Sequence, residues 1–415
     1  MPELTPFPAL RFSSTAGDLS HLLAPPYDVI DPAAAADLRA RSPYNTVRLI
    51  LPEGSDDERY TAAADTLTNW LTGGVLEPDP EPAAYVYRQE FETETGVAER
   101  CALFAAVRLA PLDEGEILPH EHTHAGPKKD RLALTLATRT QLSPVFMVAH
   151  DADGGLWDLQ RAVTQRPSDV QATTPDGIRH SLWVVADDIR DELLASAAAD
   201  PLLIADGHHR YETALAAREI LSDSAKAAHL LVCVVSQRDP GLVVRPTHRV
   251  LAGPPRGQSE PFDWVESLGD ALALEDVGEL DPEEAEQLVA GAPAGSLVVA
   301  TSGTTARWLA RARPEALAAA AIPPERARIA PVVFDELVLR RLYSMDADEA
   351  AREGILSYSR GPATAATPPS GGCGFILPAV SLEDVWATAA RGGRLPPKST
   401  YFEPKMPSGL LFRRL

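Results

Sequence analysis

The chain has 415 residues, 45% of them hydrophobic and 23% charged, which is an ordinary globular composition and long enough for two domains. Its formal net charge of −21 argues against non-specific binding to nucleic acid or to an anionic membrane, because both need a positive protein face. No apolar run reaches the roughly 18–20 residues of a transmembrane helix, and no secretory signal pattern is visible.

The three cysteines are far apart in the sequence, odd in number and without CxxC spacing. Cys101 and Cys233 lie in apolar runs, where a thiol behaves as a small core side chain, and Cys373 is isolated. This usage is typical of proteins from a reducing compartment, so we expect a cytoplasmic protein.

The first part of the chain combines turns, helices and a hairpin. Prolines predict rigid turns at residues 24–28, and a helical pattern covers residues 60–71. Residues 84–92 and 101–109 alternate or run apolar around a Thr-Gly turn, which predicts a β-hairpin. After a loop rich in His and Lys, a further helix is predicted over residues 131–140.

The middle of the chain predicts strands at residues 143–150 and 181–187. A strand–helix–strand unit follows at residues 202–206, 208–221 and 229–236. This order favours parallel pairing of its two strands through a right-handed crossover.

A change of composition after Pro254-Pro255 marks a predicted boundary between an α/β region at 1–255 and a second at 256–415. There is no Lys or Arg between Gly257 and Ala306, a stretch in which eleven acidic residues occur. A solvated acidic helix face explains this bias without a function.

The second region again mixes strands and helices. Residues 296–301 and 375–380 read as strands, and the stretch 361–370, rich in Pro, Ala and Thr, predicts a flexible surface loop. Ser381 has capping-box spacing and opens a helix that stops at a Gly-Gly pair. Residues 396–405 predict an extended loop, and the fold class as a whole is mixed α/β (α+β).

The segment 202–211, LLIADGHHRY, predicts a strand that ends in a tight glycine turn and opens a helix. A helix start has unpaired N–H groups and a partial positive charge, so it attracts anions. Glycine permits close backbone approach, the imidazoles can exchange protons, the guanidinium can contact phosphate, and the aspartate can cap the helix or orient a histidine. A polar surface turn is the alternative. The candidate phosphate- or nucleotide-binding residues are Asp206, Gly207, His208, His209 and Arg210.

The segment HEHTH at 120–124 precedes a basic stretch that includes Lys128 and Arg131. Its three histidines, His120, His122 and His124, could bind zinc from a strand or loop. A metal-dependent hydrolase is therefore one hypothesis, although the HExxH spacing of zinc proteases is absent. The alternative is an acid/base site, in which Glu121 or His120 takes a proton and the basic side chains hold phosphate oxygens.

Two further segments contain residue types that can contact a ligand. The tail offers cations and hydroxyls that could reach a ligand or simply pack, and the N-terminal turns could place polar side chains in a pocket or be structural. The tail candidates for phosphate are Lys398, Ser399, Thr400 and Lys405, and the candidates for substrate contact are Tyr27, Asp28 and Asn45.

These segments together, in this order, resemble the DUF1015 family of bacterial and archaeal proteins. The resemblance spans nearly the whole chain. It rests on APPYDVI (24–30), SPYNTVRL (42–49), HEHT (120–123), KKDR (128–131), ADGHHRYETAL (205–215) and PPKSTYFEPKMPSGL (396–410).

The DGHHR box also resembles the phosphate-binding box of the ParB/sulfiredoxin-like superfamily, which implies a strand–loop–helix core. His208 stands where sulfiredoxins have their catalytic cysteine, so the resemblance does not extend to sulfinic acid reduction. Partition proteins need a positive DNA face that this acidic chain lacks. The free-serine kinases of the superfamily match better, and their upstream carboxylate base has a candidate here in Glu121.

The resemblance and the residues together predict a cytoplasmic phosphotransferase or phosphohydrolase acting on a small hydroxy compound, with serine or phosphoserine first among them. ATP or ADP with Mg²⁺ is expected if the donor is a nucleotide. A non-catalytic protein that binds a nucleotide or a phosphorylated metabolite is the alternative. No nucleic-acid or membrane partner is expected.

Overall fold

A computed structural model describes residues 1–55, 57–93, 96–123, 125–186, 188–258 and 262–415. Strands and helices are mixed along the chain, which confirms the predicted mixed α/β class. Within the part of the chain that is described, no helix is both long and apolar enough to cross a bilayer.

The strands are mostly short and antiparallel. They are β1 Leu4–Thr5, β2 Leu10–Phe12, β3 Leu76–Pro78, β4 Ala84–Thr93, β5 Gly96–Arg108, β6 Ile117–Leu118, β7 Thr140–Gln141, β8 Val145–Ala149, β9 Val170–Thr173, β10 Arg179–Val185, β11 Leu202–Asp206, β12 His229–Ser236, β13 Val243–Arg245, β14 His248–Leu251, β15 Leu272–Glu279, β16 Leu297–Thr301, β17 Ala306–Ala312, β18 Leu356–Ser359, β19 Cys373–Ile376, β20 Tyr401–Glu403 and β21 Arg413–Arg414.

The helices vary from single turns to four turns. They are α1 Pro32–Arg41, α2 Val47–Ile50, α3 Glu58–Thr72, α4 Ala125–Thr138, α5 Gly155–Thr164, α6 Ile189–Ala197, α7 His208–Ile220, α8 Trp264–Gly269, α9 Pro282–Ala290, α10 Pro314–Ala319, α11 Pro324–Ala327, α12 Ala330–Phe334, α13 Arg341–Tyr343, α14 Ala347–Arg352, α15 Pro362–Ala366 and α16 Leu382–Ala390. A π-helical turn, Asp335–Arg340, joins α12 to α13, and 3₁₀ turns include Tyr27–Val29 and Ala225–Ala228.

The chain forms two compact units, each built from separated segments. The first contains Met1–Pro119, Thr123–Val243 and Pro404–Leu415, and the second contains His120–His122 and Val244–Glu403. The domain boundary at residue 255 that the sequence suggests stays a prediction. Along the chain, the second unit resumes at Val244 and the first unit resumes at Pro404.

The first unit is organised by one large sheet in the order β6-β11-β8-β12-β5-β4-β10-β9, with β1 added on β5. The predicted hairpin is confirmed, since β4 and β5 pair antiparallel, although the turn residues 94–95 lie outside the description. One apolar core lies between this sheet and α5, α6 and α7. A second core is formed by the helices α1 to α3 with residues such as Leu134 and Phe412.

The prediction of a parallel β11–α7–β12 unit is wrong. Strand β8 lies between the two strands, antiparallel to β11 and parallel to β12, so β11 and β12 run in opposite directions. The physical reason is the packing of α7, which lies against α4 and therefore does not serve as a crossover from β11 to a neighbouring parallel strand.

The second unit is built on a six-stranded sheet in the order β15-β17-β16-β19-β14-β18. One face packs on α8, α12, the π-helical turn and α14, and the other packs on α9 and α15. The predicted helix start at Ser381 is confirmed, because its side chain accepts from the Asp384 backbone N–H as an N-cap. The reciprocal bond of a capping box is not formed between these two residues, since the Asp384 carboxylate accepts from the Ser381 hydroxyl instead.

The predicted flexible loop at 361–370 is wrong for Pro362–Ala366, which form α15 with Ala365 fully buried. Small side chains let α15 pack its backbone directly on β19. A Cβ built on Gly374 would lie 1.7 Å from the Ala365 carbonyl oxygen, so only glycine fits there.

We expect Gly374→Ala to lower the free energy of unfolding by about 3 kcal/mol or more, because neither backbone can give way without breaking the sheet or the helix. Gly253→Ala is the control, since its Cβ would meet nothing within 4 Å. Urea unfolding of both full-length variants measures the difference. Equal midpoints would show that α15 is not held against β19.

Candidate functional site

The DGHHR box lies where β11 passes into α7. The apolar residues of β11 are buried in the sheet, and Gly207 makes the turn with φ 102° and ψ 30°, a conformation that favours glycine. The Arg210 guanidinium lies against this glycine, because a Cβ there would be 2.9 Å from Nε. The sequence folds this way because the apolar strand stops at a residue that can take a left-handed turn.

The Asp206 carboxylate binds two cations at once. Its Oδ2 accepts from Arg210 Nη2, and its Oδ1 accepts from Lys405 Nζ. All three side chains are 12–14% exposed. Burial opposes ionisation, but Lys405 and Arg210 hold the pKa of Asp206 well below its ordinary value. The carboxylate is therefore charged at neutral pH, and the two cations are fixed in place.

The predicted capping role of Asp206 is wrong. Gly207 is the N-cap of α7 and has no side chain that could cap the helix. Asp206 does not take that role, because both of its carboxylate oxygens are engaged by Lys405 and Arg210. The start of α7 has the partial positive charge of a helix N-terminus, which attracts anions.

The two histidines occupy the first turn of α7 in different surroundings. His208 is 7% exposed and lies close enough to help lower the pKa of Asp206. His209 is partly exposed and helps to lower the pKa of Glu212. Both imidazoles therefore lie within electrostatic reach of a carboxylate of the same unit.

Helix α4 contributes a second ion pair beside α7. Lys128 Nζ donates to Glu212 Oε2 at 2.8 Å, and the Thr123 hydroxyl donates to the same oxygen at 2.7 Å. Burial opposes ionisation of Glu212, but these two hydrogen bonds lower its pKa. Glu212 thus holds Lys128, a predicted phosphate ligand, against α7.

Arg131 is fixed from three sides. Its Nε donates to Asp130 at 2.8 Å, its Nη1 donates to the Ile50 carbonyl at 2.6 Å, and its Cζ lies 4.1 Å from the centroid of the Tyr27 ring. Burial raises the pKa of Tyr27, although Arg210 and Arg131 oppose this. The predicted residues Tyr27, Arg131 and Arg210 are thus brought together.

These three residues line a cavity of about 60 Å³ in the first unit. Such a volume has room for a few water molecules or one small chemical group. The remaining wall is mostly apolar, and the buried Thr213 hydroxyl on it has no hydrogen-bond partner among the described residues. The full lining is Tyr27, Ile50, Arg131, Leu134, Thr135, Thr140, Gln141, Leu142, Ser143, Arg210, Thr213, Ala214, Ala217, Ala227, Leu230 and Leu415.

Other predicted residues belong to the second unit. His120 Nε2 and the Thr400 hydroxyl form a hydrogen bond of 2.8 Å, and the Ser399 hydroxyl donates to the Pro396 carbonyl at 2.6 Å. Lys398 takes the left-handed conformation with φ 56°. Glu121 lies within electrostatic reach of Arg249. The ring centroids of His120 and Phe402 are also 6.2 Å apart. The structure therefore joins two predicted segments, HEHT and KSTYF, through contacts of His120 inside this unit.

Asn45 has a structural role. It is fully buried, its amide nitrogen donates to the His21 and Leu23 carbonyls, and its oxygen accepts from the Val47 backbone N–H. The predicted substrate contact is corrected accordingly, because no exposed atom is available for it. Asp28 is exposed on the same 3₁₀ turn as Tyr27.

No group of three or more His, Cys, Asp or Glu side chains among the described residues is arranged to hold a metal ion. Within the HEHTH segment, His120 is buried and His122 is exposed. His124 lies outside the described residues. The metal-dependent hydrolase therefore has no described ligand set.

Sequence reasoning missed several residues of these sites. Glu212 lies in a predicted helix and Lys128 in the loop predicted before another helix, so the sequence contained both charges but gave no signal that they form a pair. Arg249, Asp335 and Tyr358 gave no signal, because each lies in an ordinary strand or helix pattern.

The fold and these contacts define a mixed α/β protein with a cation-rich helix start in its first unit. The chain belongs to the family described as "Protein of unknown function (DUF1015)", which it matches over residues 4–322. No curated protein matched the chain.

Several solved structures are distantly similar. A free serine kinase variant in complex with ADP is 16% identical with a TM-score of 0.32, and the match covers 72% of this chain and 86% of that one. A conserved hypothetical protein from Pyrococcus furiosus is 16% identical (74% and 93% covered, TM-score 0.31). SbnI from Staphylococcus aureus, truncated at its C terminus, is 14% identical (74% and 86% covered, TM-score 0.36). At these values the likenesses establish neither fold nor function for this chain.

We expect Gly207→Ala to displace the Arg210 guanidinium from Asp206, because the new Cβ would lie within 3.0 Å of it. Gly177→Ala is a matched control, since it has a similar left-handed φ of 86° but nothing within 4 Å. The control should lose about 1 kcal/mol of stability from backbone strain alone. Thermal unfolding should show a clearly larger loss for Gly207→Ala, and equal losses would mean that the guanidinium does not rest on this turn.

Proposed function

We propose that this protein is a phosphotransferase or phosphohydrolase that acts on a small hydroxy compound and binds phosphate at the start of α7. The observation that carries the proposal is the pair of cations, Arg210 and Lys405, that Asp206 holds at the start of α7, where the N-cap is a glycine. Phosphoryl transfer relies mainly on positioning and on neutralising charge, and a fixed group of cations supplies both.

The charge balance of the box favours an anion. Lys405 and Arg210 carry two positive charges against the single negative charge of Asp206, which leaves one net positive charge over these three groups. The positive end of the helix dipole adds to it. Because Asp206 already orients both cations, a phosphate meets them without a large loss of side-chain entropy.

The neighbouring residues suggest how the rest of the ligand is held. The cavity lined by Tyr27, Arg131 and Arg210 has room for a small group, and its wall is mainly apolar. Serine and phosphoserine are the first pair to test, because the DGHHR box resembles that of free-serine kinases. A nucleotide donor, ATP or ADP, would be used as its Mg²⁺ complex.

The chemistry needs one proton acceptor. The substrate hydroxyl oxygen bonds to phosphorus, the bond from phosphorus to the leaving oxygen breaks, and the hydroxyl proton passes to a base. In the hydrolytic direction, water takes the place of the hydroxyl compound. Glu121 and His120 are the candidates from the sequence for this base, and His208 and His209 are the candidates within the box.

The first test is the binding of phosphate compounds. We expect Arg210→Ala to weaken binding of inorganic phosphate and phosphoserine by several-fold or more, because a charge beside the ligand is lost. Arg218→Ala is the matched control, since it lies on the same helix α7 but in its last turn. Isothermal titration calorimetry of both folded variants measures their affinities for phosphate and phosphoserine. No phosphate-dependent change in wild-type melting, together with no turnover of ATP, ADP or phosphoserine, would contradict the proposal.

The second test separates turnover from binding. Glu121→Gln is expected to lower phosphoryl transfer by roughly 10²-fold or more with little change in phosphate affinity, because the amide cannot accept the proton. Glu114→Gln, at an exposed position, is the control. Product is followed by ³¹P NMR with serine and each nucleotide. Phosphate binding without any turnover in the wild type would identify a non-catalytic binding protein instead.

A further inference from the structure

A buried polar cluster lies in the second unit, on the face of its sheet that packs against α12 and the π-helical turn. Strand β14 alternates its side chains, so Leu251 and Arg249 point to this face and Val250 points to the other. Arg249 is paired in register with Tyr358 of β18, and its Cζ lies 4.7 Å from the centroid of the tyrosine ring.

The guanidinium of Arg249 is buried, and no described residue forms an ion pair with it. The residue is 1% exposed, Nη1 donates to the Thr247 carbonyl at 2.6 Å, and Nη2 donates to the Pro397 carbonyl at 3.1 Å. Both acceptors are neutral, and among the described residues no carboxylate forms an ion pair with it. Its Nε is buried and makes no hydrogen bond to any described group. Buried cations are normally paired, so this arrangement calls for an anion.

Two further buried polar atoms accompany that Nε. Asp335 is 7% exposed at the first position of the π-helical turn, and its Oδ1 has no hydrogen-bond partner among the described residues. The same holds for the Tyr358 hydroxyl. Each of these groups lies within electrostatic reach of Arg249. Insertions of π-helix are frequent at functional sites, because they redirect a side chain out of the regular helical pattern.

We propose that Arg249, Tyr358 and Asp335 bind the carboxylate group of a small organic acid inside the second unit. The guanidinium Nε–H and the tyrosine O–H donate to the carboxylate oxygens, and Asp335 in its neutral form donates a third hydrogen bond. One guanidinium neutralises one negative charge, so a monoanion fits. A phosphate dianion would bring a second negative charge close to the two acidic side chains, Asp335 and Glu121. This inference does not depend on the phosphate box of the first unit.

Binding of the carboxylate is coupled to a proton on Asp335. Burial raises the pKa of Asp335 to about 7, with Arg249 and Arg340 opposing and Glu336 and Asp346 reinforcing the rise. Around Tyr358 the charged groups are Arg249, Asp335, Asp348 and Glu121. A carboxylate beside Asp335 favours its protonated form, so each bound anion holds one proton there. The affinity must therefore fall as the pH rises above about 7.

The experiment uses the full-length protein with sodium formate, acetate and glycolate as probes and inorganic phosphate and chloride at equal ionic strength as comparisons. Titration calorimetry and thermal unfolding are measured at pH 6 and pH 8. We expect the carboxylates to bind about tenfold more tightly at pH 6, as one linked proton with a pKa of about 7 requires. Chloride at either pH, and phosphate at pH 8, where it is mainly a dianion, should not bind.

Variants separate the roles of the three residues. Arg249→Met should abolish binding, Tyr358→Phe should weaken it several-fold, and Asp335→Asn should keep it but remove the pH dependence, because the amide donates at every pH. Arg307→Met is the matched control, because Arg307 is also buried and donates only to backbone carbonyls. It should leave carboxylate binding unchanged.

Three results would overturn the inference. No carboxylate effect in the wild type would mean that only water fills the cluster, and equal binding by inorganic phosphate would remove the preference for a carboxylate. If the pH dependence of carboxylate binding persists in Asp335→Asn, the linked proton is not on Asp335. If Arg249→Met does not fold, the other two variants still test the inference. Asp335→Asn must lose the pH dependence of carboxylate binding, and Tyr358→Phe must bind the carboxylates more weakly.

Discussion

The Asp206 carboxylate is the contact on which the rest of the first unit's site depends. It holds Arg210 across the glycine turn and fixes Lys405, which is 199 positions away in the sequence, beside the start of α7. Without it, two cations that are only 12% exposed would face each other without a counter-charge. Removing one member of such a buried set typically costs several kcal/mol, so the arrangement is both a structural tie and a preformed anion site.

The second unit contains a buried acid, Asp335, whose pKa is shifted in the opposite direction from that of Asp206. Asp206 stays ionised because two cations contact it. Among the described residues no cation forms an ion pair with Asp335, and burial raises its pKa. Arg249 is similarly left with neutral carbonyl partners. One acid therefore organises its surroundings through charge, and the other is able to exchange a proton near neutral pH.

Local patterns predicted much of this molecule, and long-range contacts account for what they missed. The apolar alternation of β4 and β5, the helix N-cap at Ser381 and the strand–glycine–helix of the DGHHR box were all readable, since each depends on neighbours in the sequence. Strand order was not readable, because whether β8 lies between β11 and β12 depends on how α7 packs against α4. The cluster around Arg249 was hidden for the same reason, since its members meet only across strands and helices.

The order of the segments has a consequence for how the protein is made on the ribosome. Apart from His120–His122, the residues of the second unit, Val244–Glu403, are synthesised after Asp206 and before Lys405. At about 5–20 residues per second, the 199 intervening positions separate the two partners by roughly 10–40 s. During that interval, Asp206 and Arg210 form their pair without the lysine. Lys405, the last charge of the anion site, is thus synthesised only after the second unit. The complete site can therefore form only when translation of the second unit is finished.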